Sequence, residues 1–194
     1  AQTYPSPTIV GEIANQDLHA DANIDYVIII PASGKLQAQA EKLAQAHTTH
    51  SGLRTKVVRA DQIYNEFSSG TPDATAYRRY LKMLYDKATS DADAPRYLLL
   101  FGNCAFDNRM ITSDWKKASP NDYLLAYERS DEENYNTNYR LGTLHDYVTD
   151  DYFCLLDDEE GARITSEKID LGVGRFLCTT EEEATTLVGK AISY

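Results

Sequence analysis

A chain of 194 residues, 42% hydrophobic and 25% charged, has enough apolar side chain for one domain with a full core and too little length for two generous ones. Thirty acidic against 19 basic side chains give a net charge of −11, which repels phosphate backbones and anionic lipid surfaces at long range and sets nucleic acid aside as a partner. The longest apolar runs, at 26–30 and 97–101, are strand-sized and well short of the roughly 20 residues a membrane helix needs, so no span is expected.

Residues 1–24 are polar and broken by proline and glycine. They read as a linker or edge segment from a preceding domain, with "PTIVGEI" as a short edge-strand candidate. "DYVIIIPA" is a nearly continuous β-branched run, the pattern of a strand covered on both faces. A first helix follows with Ser33 as N-cap, Leu36, Ala40, Leu43 and Ala44 along one stripe, and Gly52 as its stop. "LRTKVVRA" is a second strand. "TPDATAYRRYLKMLYDKA" is a second helix, opened by Thr71 as cap and Pro72 at the first helical position, and "RYLLLFGN" is a third strand. Right-handed crossovers then make the sheet parallel, with strand 25–31 between 54–60 and 96–102 and the two helices on opposite faces.

The stretch from 103 to about 145 is loop-rich. It holds "DYLLAYE" as a short strand candidate and an acidic run after it that reads as a solvated hairpin tip. "DDYFCLLDDEEGARITSEKIDLGVGRF" reads as two strands joined by an acidic connection, in which the glycines of "GVG" mark a close backbone approach. Thr180 with Glu183 forms a capping box for a last helix that runs to the end of the chain. The chain has no initiator Met and no secretory leader, and it reads as a piece of something longer.

Three cysteines are too few and too odd in number for a disulfide framework. Cys104 sits at a strand end, where α/β folds place ligands, and with His145 and Asp107 or Asp146 it can be drawn as a nucleophile, base and orienting acid. The alternative is a small buried hydrophobe, the usual state of free cysteine and the reading given to Cys154 and Cys178. His47 and His50 suit a helix carboxyl end and lack a third metal ligand, and His19 stands alone. Asp150, Asp151, Asp157 and Asp158 offer the oxygen ligands that calcium takes. Their spacing does not match an EF-hand, and a solvated acidic turn is the simpler account.

The succession "DYVIIIPA", "LAQAHTTHSGLRTKVV", "QIYNEFSSGTPDATAYRRYLKMLYD", "PRYLLLFGNCAFDNR" and "IDLGVGRFLCTTEEEATTLVGKAISY" resembles the amino-terminal subdomain of the gingipain family of cysteine peptidases, above all its branch that serves as the sortase of type IX secretion. The resemblance covers essentially the whole chain. It implies a three-layer αβα sandwich with a mainly parallel sheet of caspase-like topology over 25–194. It also implies that the catalytic histidine and cysteine belong to a second subdomain, since the family's Gly-His-Gly motif and its later strand-end cysteine are not in this chain. On that basis no residue here is catalytic and no cofactor is required. The expected partners are the catalytic subdomain of the same parent, protein substrates and secretion components, and the expected location is the bacterial cell surface. Asn103 stands where relatives often carry aspartate. Two alternatives stay open: a self-contained hydrolase using Cys104, His145 and Asp107, and a purely structural interaction module. Aromatic residues gathered in 103–153, namely Phe106, Trp115, Tyr123, Tyr127, Tyr135, Tyr139, Tyr147, Tyr152 and Phe153, predict an exposed apolar docking face.

Overall fold

The computed structural model describes residues 4–9, 11–130, 146–164 and 166–194. Its centre is a parallel sheet in the order β2-β1-β3-β6, formed by β1 (Tyr26–Ile30), β2 (Thr55–Arg59), β3 (Tyr97–Phe101) and β6 (Gly172–Phe176). β1 lies between β2 and β3, as the handedness of the crossovers requires. A separate antiparallel pair joins β4 (Tyr127–Ser130) to β5 (Asp146–Thr149).

Alternation along β1 sends side chains to two cores. Ile28 and Ile30 face α1 (Gln37–Ser51) and α4 (Glu181–Ile192), which cover one side together with Leu43, Phe101 and Val188. Val27 and Ile29 face the other side, where α2 (Ala60–Phe67) and α3 (Thr75–Lys87) bring Ile63, Tyr77, Tyr80 and Leu81. The layers are helix, sheet, helix, so the expected sandwich is present. Gly52 ends α1 in the left-handed conformation at φ 67°, and Thr180 and Glu183 close a capping box on α4.

Several expectations need correction. Residues 7–13 contribute no strand among those described. α1 starts at Gln37 rather than after Ser33, because Gly34 at φ 71° holds residues 31–36 in a turn. α3 starts at Thr75 rather than after Thr71, where the Asp73 carboxylate accepts the Thr75 N–H at 2.9 Å. The periodicity reading does not include α2, which follows β2 without a loop. Residues 151–154 form a turn of 3-10 helix, not a strand, so Cys154 is buried in a coil-like segment. "DYLLAYE" meets its strand only at the end, in β4, and α4 stops at Ile192. The acidic run after "DYLLAYE", expected as a hairpin tip, lies outside the described residues from position 131 on. A Cβ at Gly172 would meet the Tyr97 ring at 3.2 Å while one at Gly174 would find open space, so a neighbouring ring, not a backbone, explains the first glycine.

Residues 16–21 dock on α2. Glu66 accepts from the N–H of Leu18 and of His19, from the Gln16 amide and from the His19 ring, at 2.7–3.0 Å. Burial alone would raise this carboxyl, but those hydrogen bonds outweigh it and bring its pKa down from 4.5 to about 2. A carboxyl depressed by folding stabilises above its unfolded pKa, and that stabilisation disappears as pH falls through the folded value. Between pH 4.5 and about 2, stability should therefore fall more steeply in the unaltered chain than in Glu66→Gln. Urea midpoints measured across that window test it, and parallel curves for the two proteins would refute it.

Candidate functional site

The carboxyl ends of β1 and β3 flank the point where the strand order reverses, the usual ligand crevice of an open α/β sheet. Here the chain fills the crevice itself. The Ser33 N–H donates to the Asn121 carbonyl at 2.8 Å, the Leu124 N–H donates to the Asn103 carbonyl at 2.9 Å, and Lys35 pairs with Asp122 at 2.7 Å. Gly102 permits this closure, since a Cβ there would stand 2.8 Å from the Pro31 ring and 3.4 Å from Leu124.

Cys104 lies in this plug, half-buried, with its backbone bridged to Leu124 and its N–H donated to the Asn103 side chain at 3.0 Å. Asn103 thus organises the turn through its side-chain oxygen. Arg175, which reaches the Gly102 carbonyl just before this turn, is already committed: Nε and Nη2 donate to Asp150 at 2.9 and 2.6 Å, and Nη1 donates to the Gly102 carbonyl at 3.2 Å. Among the described residues, Asp107 meets no imidazole. It accepts the N–H groups of Arg109, Ile111 and Thr112 at 3.2, 2.7 and 2.7 Å, and the Thr112 backbone bond leads in lowering its pKa. His145 lies outside the described residues, as does the side chain of Asp146. Among the described residues, no hydrogen bond joins Cys104 to a histidine.

The other candidates scatter. His47 packs edge-on to Tyr26 at the amino end of the sheet, where burial lowers its pKa, and His50 is exposed. His19 stacks on Phe67 at 4.6 Å. Burial raises Cys178 to about 11 and pushes Cys154 up as well. Asp150 serves Arg175, Asp158 pairs with Lys82 at 3.0 Å, and Asp151 opens the 3-10 turn. Asp157 meets Glu160 and Asp170 instead, with ligand atoms within 4.8 Å of one another. These three already carry structural bonds, from Tyr85 to Asp157, from the Asp157 N–H to Glu160 and from the Leu156 N–H to Asp170.

Of the aromatic set, Phe106 is exposed, Trp115, Tyr123 and Tyr127 are half-buried, and Tyr152 and Phe153 are buried. Tyr135, Tyr139 and the Tyr147 side chain lie outside the described residues. The described rings therefore pack the loop onto the domain only in part, with Tyr152 and Phe153 inside and Phe106 left at the surface. Two structural residues escape the motif reading, Arg175 and Glu66. A charge at an inward position of "GVGRF" is the one local signal for the first, and nothing in the local sequence announces the second.

A family model described as "Peptidase family C25" matches residues 19–194. Among solved structures, the chain is similar to dimeric latent PorU from Porphyromonas gingivalis, with a TM-score of 0.83 and 37% sequence identity. The similarity covers 97% of this chain and 17% of that one, so this chain corresponds to a small part of a much longer protein. No curated protein matches it.

Proposed function

The chain belongs to peptidase family C25, the gingipain family, and we propose that it forms the first, non-catalytic subdomain of a cysteine endopeptidase. In this reading residues 25–194 are the subdomain, residues 1–24 lead in from what precedes it, and the catalytic histidine and cysteine follow in a second subdomain. The observation that carries the reading is that nearly the whole chain matches the peptidase family model and yet only 17% of the longer solved chain. The setting of Cys104 supports it, in a self-filled crevice with its neighbouring acid and cation engaged elsewhere.

The subdomain would brace its catalytic neighbour and line one side of the substrate cleft with the loops that follow β3. The parent would attack a peptide carbonyl with a thiolate, release the leaving amine, and pass the acyl group to water or to an acceptor amine. The finer reading is the type IX sortase, which removes carboxyl-terminal signals from secreted cargo at the bacterial surface.

The test is turnover of a broad fluorogenic peptide panel. The 194-residue chain should show none, and the parent carrying Cys104→Ala should cleave as fast as the unaltered parent. Cleavage by the chain alone that disappears in both Cys104→Ala and His145→Ala would establish the self-contained hydrolase instead. A parent without turnover in any form would make this chain part of an interaction module.

A further inference from the structure

Beside the filled crevice, a cavity of about 820 Å3 stays open on the carboxyl side of β1 and β2, within the roughly 300–1,000 Å3 usual for ligand sites. Its inner wall is chemically satisfied. The Tyr64 hydroxyl is bonded to Tyr77 at 2.5 Å, and both ends of the Asn108 amide are bonded to the Ala126 backbone at 2.9 and 3.0 Å. What remains free is at the rim. Arg79 uses Nη1 on the Phe67 carbonyl, at 2.8 Å, and has no carboxylate partner among the described residues; the Arg109 side chain has no partner among them at all. The single acid of the lining, Asp73, is committed to the start of α3.

Two arginines against one aspartate reverse the sign of a chain with 30 acidic and 19 basic side chains. A planar guanidinium without a partner is best matched by a carboxylate, which it can meet with two parallel hydrogen bonds. The field of a −11 chain works against capture of a small free anion, so the ligand must gain further from apolar contact. Pro72, Pro120 and Leu125 supply that contact. We propose that this cavity binds a short peptide segment that presents a carboxylate to Arg79 and Arg109 and lays an apolar side chain against Pro72 and Leu125. Arginine clusters recognising acidic motifs and the capture of a chain-terminal carboxylate are both established modes of peptide recognition. The choice of a peptide over other carboxylates rests on the reading of the parent as a peptidase.

The probe is a library of fluorescein-labelled pentapeptides, each with one leucine and one glutamate, made with free and amidated carboxyl ends and in Glu→Gln copies. Anisotropy should show members that bind the 194-residue chain with Kd below about 1 mM and Gln copies that bind about tenfold more weakly. Members whose binding depends on the free end identify a terminal carboxylate as the group recognised; the others identify the side chain. Arg109→Gln should remove the acid preference and Arg109→Lys should restore part of it, with unchanged urea midpoints because the Arg109 side chain is exposed and has no partner among the described residues. No member binding below that threshold, equal binding of the Gln copies, a preference that survives Arg109→Gln, or inorganic phosphate that competes as well as the peptides would overturn the proposal. Peptide turnover by the parent is a separate readout. Failed binding with an active parent removes only this site, and binding with an inactive parent removes only the peptidase reading.

Discussion

Arg175→Ala is expected to lower the free energy of unfolding by about 3–5 kcal/mol, the usual cost of removing one partner from a buried ion pair. The Arg175 side chain is 8% exposed and that of Asp150 24% exposed. Burial works to discharge the guanidinium, but the bonds to Asp150 hold its pKa above the ordinary value. Without Arg175, Asp150 keeps its desolvation and loses both charged hydrogen bonds, and the Gly102 carbonyl loses a donor next to the Cys104 turn. The pair joins β6 to the segment that follows β5, so the loss should be felt in the whole sheet. Urea denaturation measures it directly. A double variant, Arg175→Met with Asp150→Leu, should recover much of the loss, since apolar groups of similar volume often replace a buried pair at little cost. A destabilisation by Arg175→Ala below about 1 kcal/mol would place the pair in the class of solvent-exposed bridges and end this account.

Phe153→Ala should cost about 3–5 kcal/mol, the range for emptying a buried aromatic site. Phe153 is fully buried, with its ring 5.5 Å from that of Tyr77 and 5.9 Å from that of Tyr152. Tyr77 in turn bonds Tyr64 and accepts the Leu125 N–H at 3.3 Å, so the cavity would open beneath a polar group that depends on fixed neighbours. Phe153→Leu keeps most of the volume and should lose less than about 1.5 kcal/mol if the core can adjust around it. Denaturation curves give the two values, and amide exchange at Leu125 should accelerate in the alanine variant. Equal stability of the two variants would mean that the site collapses freely and that Phe153 anchors nothing.

These residues also show where a sequence can be read and where it cannot. The run from Val27 to Ile30 is apolar on both faces, and few structures other than a covered parallel strand accept that pattern. Together with handed crossovers it determined the order β2-β1-β3. The capping box at Thr180 and Glu183 was equally legible, because its bonds span only three residues. The same apolar texture misled at 152–156. "YFCLL" carries the composition of a strand, yet it is buried as a 3-10 turn followed by coil.

Local pattern therefore determined which segments are apolar and where the sheet runs. Tertiary structure alone decided which charged and polar groups from distant segments meet. Arg175 meets Asp150 across 25 residues, Glu66 meets His19 across 47, and Asn121 closes the loop at Ser33 across 88. None of these pairings leaves a period or a motif, because a hydrogen bond between distant segments needs only two compatible groups brought together by the packing of the core. Nor does anything in the sequence show that the Asp107 carboxylate is held by three backbone N–H groups of its own turn.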